Sequence, residues 1–197
     1  NILAYECNVA DPASVGQMMQ NYEADFSTID FAVNNAGIFT GDPALDISPE
    51  AFRSVIDVNL NGVFFTAQAA ARLMVKHGNP GSIMSTASMS ARIINQPQTI
   101  ANYCASKAAV VHLTKALAVE WAKYKINVNS IAPCIFWTPL TEPILNDKKL
   151  YEIFMSRIPW GRAAEPEDFI GAIIYLASSA SDFMTGNIMY GDGGSTA

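Results

Sequence analysis

Residues 29–37 read Ile29-Asp30-Phe31-Ala32-Val33-Asn34-Asn35-Ala36-Gly37, a short apolar run that stops in two amides, an alanine and a glycine. A run of this length bounded by turn residues reads as a strand buried in a sheet. The small and polar residues after it let the backbone turn sharply where the strand ends. By itself that turn is ordinary, and its weight comes from repetition along the chain. Similar runs fall at residues 2–7, 82–86, 126–132 and 187–190, and helical stretches at 12–25, 49–77, 102–123 and 166–178 separate them. Strands alternating with helices signal βαβ units, and so an α/β fold with a parallel sheet. Ligands of such sheets bind at the carboxyl ends of the strands, where the 34–37 turn lies. Asp11-Pro12, Ser48-Pro49-Glu50 and Glu165-Pro166-Glu167-Asp168 each mark a helix start, with proline at the first helical position. Residues 133–163 are rich in proline and aromatics without periodicity and read as a loop or lid. With no repeat and no linker, residues 1–197 form one domain.

The composition narrows the class. Of 197 residues, half are apolar and only 15% charged, which suits a globular chain with a sizeable core. The net charge of −6 argues against nucleic acid or an anionic membrane as partner. Cys7, Cys104 and Cys134 are widely spaced, and with only His77 and His112 beside them no metal-ligand cluster forms, so no metal is expected. Unpaired cysteines point to a reducing compartment, read here as the cytoplasm. No apolar run reaches the ~18 residues of a membrane span.

Chemistry concentrates in four places. Tyr103-Cys104-Ala105-Ser106-Lys107 sets a phenol and an ammonium four residues apart, on one face of an alanine-rich helix. A cation near a phenol lowers its pKa and makes it a usable acid, although a surface helix pair would look the same. Ser85-Thr86-Ala87-Ser88-Met89-Ser90 offers hydroxyls at a strand end, where they can hold a carbonyl or merely form a turn. Asn59 and Asn61-Gly62 weaken the middle of a helical stretch, either as a tolerated kink or as a place where free backbone groups hold water. Ile131-Ala132-Pro133-Cys134-Ile135-Phe136-Trp137-Thr138-Pro139 follows a strand with amides and a threonine that suit a carboxamide, or forms a plain proline-bounded loop.

In their order, Asn34-Asn35-Ala36-Gly37, Asn59, the Ser88/Tyr103/Lys107 set and Asp192-Gly193-Gly194 resemble the short-chain dehydrogenase/reductase family across nearly the whole chain. The resemblance implies a Rossmann-type doubly wound parallel sheet in three αβα layers, with NADP or NAD along its carboxyl edge. It implies that Tyr103 is the general acid/base, that Lys107 lowers its pKa and holds the nicotinamide ribose, that Ser88 orients the substrate carbonyl, and that Asn59 supports a water relay to Lys107. It assigns the cofactor to Asn8, Val9, Asn35, Ala36, Gly37, Tyr103, Lys107, Pro133, Ile135 and Thr138, with Ser90 beside Ser88 in the substrate pocket. The family's Gly-rich phosphate turn and first two strands have no counterpart here, so the chain is expected to be a piece of a longer protein. The residues that choose NAD or NADP would follow one of those strands, which leaves the choice open with a slight lean to NADP. Asn8 replaces an aspartate, and Cys134 a glycine, which strains the loop if φ there is positive and otherwise narrows the pocket.

Residues 89–98, with Asn95, Gln96 and Gln98, look like the polyol and ketose reductase branch, so a small carbonyl or alcohol substrate is expected. A 3-oxoacyl carrier-protein reductase is the nearest alternative, and a non-catalytic dinucleotide-binding scaffold the alternative of another class. The alanine-rich helices at 49–77 and 102–123 predict a homodimer, within a homotetramer.

Overall fold

The computed structural model describes residues 2–197. In chain order its elements are α1 (Pro12–Phe26), β1 (Phe31–Asn34), α2 (Pro49–Ile56), a π-helical turn (Asp57–Asn61), α3 (Gly62–His77), β2 (Gly81–Thr86), α4 (Ala101–Trp121), β3 (Ile126–Pro133), α5 (Glu142–Leu145), α6 (Lys148–Met155), α7 (Ile170–Leu176) and β4 (Ile188–Gly191). The strands are parallel and lie side by side in the order β1-β2-β3-β4. Register sets Asn34 opposite Ser85, Thr86 opposite Ile131, and Pro133 opposite Gly191. The strand ends that carry the polar motifs therefore form one edge.

Successive side chains of a strand point to opposite faces. Ile83 enters a cluster with Ala67, Ala70 and Met74 of α3, Leu117 and Ala118 of α4, and Val128. Its neighbour Met84 enters a second cluster on the other face with Ile131, Phe169 and Leu176. Helices thus cover both faces, giving the Rossmann-type doubly wound, three-layer α/β domain. The alanines of α3 and α4 let these helices sit close to the sheet. Gly191 is needed for the same reason on the second face, since a Cβ there would overlap the Phe169 ring. Gly191→Ala is expected to cost about 1–3 kcal/mol of unfolding free energy, read by urea titration; an unchanged midpoint would contradict this packing.

The helix starts follow their sequence signals. Asp11 Oδ1 accepts from Ala13 N and Ser48 Oγ from Ala51 N, while Asp168 Oδ2 accepts from Glu165 N at the start of a 3-10 turn (Pro166–Phe169), so the helix expected over 166–178 becomes this turn followed by α7. Three further elements differ from expectation. Residues 2–7 form no strand; they carry no ladder partner among the described residues, and Tyr5 instead donates to Asp25 of α1 at 2.6 Å. The stretch 49–77 is two α-helices joined by the π-turn rather than one helix. The 133–163 segment is not bare loop, because α5 and α6 fold within it around Ile135, Leu145, Phe154, Ile158 and Ala163. Its end is anchored by Gly193 and Gly194, whose φ of 60° and 89° turn the chain against Ile158 and Pro159.

Candidate active site

α4 packs along β3, and from its first turns Lys107 reaches the end of β2 at the carboxyl edge of the sheet. Lys107 is 3% exposed, and its Nζ donates to the Thr86 carbonyl at 2.6 Å. The same Nζ lies 5.6 Å from the centre of the Tyr103 ring, one helical turn away. Burial holds the Lys107 ammonium down at about 8. The Tyr103 phenol moves the other way: burial raises its pKa, and a hydrogen bond with Ser88 pulls it only partly back. The lowering expected from the ammonium is therefore not what this geometry gives. Desolvation is the larger influence, and the phenol keeps its proton at neutral pH.

Asn59 explains the π-turn. It is fully buried; its Oδ1 accepts from Ile38 N at 2.8 Å, and its Nδ2 donates to Ile38 O at 2.8 Å and to Ser106 Oγ at 3.1 Å. Ser106 in turn donates to the Tyr103 carbonyl at 2.8 Å. One side chain thus ties the turn after β1 to the helix that carries Tyr103. A π-turn inserts one residue into a helix and re-aims the next turns, a device common at functional sites. Gly37 lies in between, and a Cβ on it would stand 3.5 Å from both Asn59 Oδ1 and Lys107 Nζ.

Ser88 lies just beyond β2 and is 6% exposed. Its Oγ accepts from Ser90 N at 3.1 Å and meets Ser90 Oγ at 3.0 Å, while Asn95 Nδ2 donates to Ser90 Oγ at 2.8 Å. Ser88, Ser90, Asn95, Tyr103, Cys134 and Ile135 line one cavity of about 70 Å³. The Phe39 ring meets Tyr103 edge-on at 6.3 Å and closes one side.

The remaining expected residues divide. Val9, Asn35 and Ala36 share a groove of about 390 Å³ beside β1. Val9 also packs on Gly62, where a Cβ would come within 2.8 Å of its Cγ2. Asn8 turns its amide oxygen to Ala10 N at 3.1 Å, so that acceptor is engaged in its own turn. Pro133 ends β3, and Thr138 caps the following turn through Thr141 at 3.0 Å, outside the Tyr103 cavity. Cys134 is not among the residues with positive φ, so no strain arises there; its thiol lines the cavity with its pKa raised by burial. Gln96 faces solvent, its carbonyl held by Arg157, while Gln98 joins the cavity. Asn102 carries no sequence signal beyond its position next to the tyrosine. It is fully buried beside Tyr103 and donates to Thr40 at 2.8 Å.

The chain as a whole is similar to known proteins. The family described as enoyl-(acyl carrier protein) reductase matches residues 1–196. A short-chain type dehydrogenase/reductase from Mycobacterium marinum has 48% identity and a TM-score of 0.94, covering 99% of this chain and 76% of that one. The chain belongs to the short-chain dehydrogenase/reductase family. Two further members are similar. The sorbose reductase of Candida albicans is 40% identical over 98% of this chain and 68% of its own length. A gluconate 5-dehydrogenase from Burkholderia cenocepacia, solved with NADP and tartrate, is 39% identical with a TM-score of 0.91, covering 95% and 72% of the two chains. As a member of this family the chain is an NAD(P)-dependent oxidoreductase that interconverts alcohols and ketones.

The residues present fit a dinucleotide. The Lys107 ammonium has three protons and one protein acceptor, Thr86 O, which leaves donors for a sugar diol. Gly37 keeps the approach to it narrow but open. Among the described residues no cluster of three His, Cys, Asp or Glu side chains could hold a metal, and no helix is long and apolar enough to cross a membrane.

Proposed function

We propose that residues 1–197 are the catalytic domain of a carbonyl reductase and alcohol dehydrogenase in which Tyr103 is the general acid/base. The observation that carries this reading is the protonated, partly buried phenol sharing one cavity with Ser88, one helical turn from a buried ammonium. Ser88 orients the carbonyl oxygen, and Tyr103 gives that oxygen its proton as the carbon is reduced. The bound dinucleotide supplies the hydride. In the oxidising direction Tyr103 takes the proton of the alcohol back. Lys107 would donate to the ribose hydroxyls of the bound dinucleotide, and its charge would lie near the phenolate left on Tyr103. Asn59 holds the 35–38 turn and α4 in fixed relation, so a water between Gly37 and Lys107 can pass the proton on. Asn8, Val9, Asn35, Ala36, Gly37, Pro133, Ile135 and Thr138 would hold the rest of the dinucleotide.

The substrate class is a small polyol or ketose. The hydroxyl and amide groups of Ser90 and Asn95 in the Tyr103 cavity support it, as does the similarity to a sorbose reductase and a gluconate dehydrogenase. A panel of ketoses, diketones and acyl ketones, followed through oxidation of NADH and NADPH, tests the reading. Turnover of ketoses is expected. Dinucleotide binding without turnover of any carbonyl would refute it in favour of a binding scaffold, and a preference for acyl ketones would favour the carrier-protein reductase alternative.

The protein acts in the cytoplasm as a homodimer or homotetramer joined through α3 and α4. Val75 is 43% exposed and Val119 81% exposed on those helices, and Tyr124 just beyond α4 is 43% exposed. Alanines at Ala108, Ala109, Ala116 and Ala122 permit close approach of a second copy. Sedimentation at micromolar concentration is expected to give a dimer or larger; a monomer would overturn this assembly.

A further inference from the structure

The cavity in front of Tyr103 has walls of two kinds. The segment after β2 supplies polar groups, Ser88, Ser90 and Asn95. The segment around α5 and α6 supplies mainly hydrocarbon, Leu140, Ile144 and Phe154, together with Thr141, whose hydroxyl is already given to the Phe136 carbonyl. Each wall has something unmet. Asn95 Nδ2 is spent on Ser90, but Asn95 Oδ1 is buried and finds no donor among the described residues. A buried acceptor of this kind carries a standing cost that a ligand hydroxyl can relieve. On the other wall Phe154 is 3% exposed within its own cluster, whereas Leu140 stays 45% exposed beside it. That hydrocarbon gains by being covered.

We propose that this chain selects ketones of split character, with a hydroxyl-bearing carbon on the flank facing Asn95 and Ser90 and an alkyl chain on the flank facing Leu140, Ile144 and Phe154. The proposal rests on the reading that Tyr103 and Ser88 hold the carbonyl oxygen. Seated that way, a 1-hydroxy-2-alkanone meets both walls. A ketose hydroxylated on both flanks would set hydroxyls against hydrocarbon without partners. A plain alkanone would leave Asn95 Oδ1 unmet. Within the ketose class, the preferred substrate is thus one that lacks hydroxyls on the flank facing α5 and α6.

Acyclic four-carbon substrates test this without ring closure. With the enzyme and its dinucleotide, kcat/KM for 1-hydroxy-2-butanone is expected to exceed that for erythrulose and for 2-butanone by about tenfold or more each. Lengthening to 1-hydroxy-2-hexanone should add about fourfold per methylene. Asn95→Leu should abolish the preference over 2-butanone while leaving the gain with chain length. Leu140→Ser should do the converse, so each wall is read separately even if one variant folds poorly. Erythrulose equal to or better than 1-hydroxy-2-butanone, or a hydroxyl preference that survives in Asn95→Leu, would overturn the proposal while leaving the reductase reading intact. If no carbonyl is turned over, ligand-observed NMR with 1,2-butanediol, erythritol and 2-butanol reads the same two walls at equilibrium. The diol binding best would support the proposal, and equal binding would overturn it.

Discussion

Tyr103→Phe is expected to lower kcat for carbonyl reduction by about 10²–10⁴-fold, the range that a positioned general acid supplies. The substitution removes one oxygen and little else. The ring keeps its edge-on contact with Phe39 at 6.3 Å, and the backbone hydrogen bonds of Tyr103 to Asn102 and Ser106 do not involve the phenol. Folding and dinucleotide binding should therefore survive, and the loss should fall on kcat rather than on KM. The pH dependence comes from the raised pKa of the phenol and the lowered pKa of Lys107. Reduction needs the protonated phenol, which burial favours, and the charged Lys107, which loses its proton near pH 8, so its rate should stay flat below neutral pH and fall as Lys107 deprotonates. Oxidation needs the phenolate, so its rate should climb with pH over the same range. Initial rates in both directions from pH 6 to 10, with wild type and Tyr103→Phe, measure this. A Tyr103→Phe variant retaining wild-type kcat would remove Tyr103 from the role of acid.

How much of the fold and the site is legible in the sequence depends on whether a signal is local. The strands at 31–34, 81–86, 126–133 and 188–191 show as apolar runs closed by turn residues, each within two residues of the observed ends. Tyr103 and Lys107 are legible as candidates because they lie one helical turn apart, and Ser88 because it is a hydroxyl directly after a strand. Residues 2–7 show the limit of that logic: an apolar run is a strand only when a neighbouring edge bonds it, and Tyr5 bonds Asp25 of a helix instead. The π-turn shows it again. Asn59 and Gly62 advertise a weak helix, but what fixes the turn is the pairing of Asn59 with Ile38, a contact 21 residues distant. α5 and α6 stay hidden because helices of four and eight residues are too short to display a period, and their packing around Phe154 comes from tertiary contact. The direction of the Tyr103 shift escapes the sequence for the same reason. Spacing alone reveals a nearby cation, whereas desolvation depends on everything packed around the ring.

Lys107→Met should separate function from stability more sharply than any other change in the site. Methionine keeps the buried stem and removes the ammonium, so carbonyl reduction should fall by about 10²–10⁴-fold together with the support Tyr103 receives. Stability should respond in the opposite sense as pH changes. The folded pKa of Lys107 is lowered to about 8 from an ordinary value of 10.5, because burial disfavours the charged form. Below pH 8 both the folded and unfolded chains hold the proton, and the whole cost of burying the charge is present. Between these values the folded chain has released the proton while the unfolded chain still binds it, so stability rises with pH. Above 10.5 the cost is gone. A shift of this size corresponds to a gain on the order of 3 kcal/mol across the window. Urea unfolding of wild type and Lys107→Met at pH 7 and near pH 10.5 isolates it, since the other titrating groups cancel in the difference. Wild type should gain on the variant as pH rises. A difference that stays constant would mean that the Lys107 ammonium is solvated or paired in the folded protein, and the buried charge invoked to hold the ribose and steady the phenolate would have to be given up.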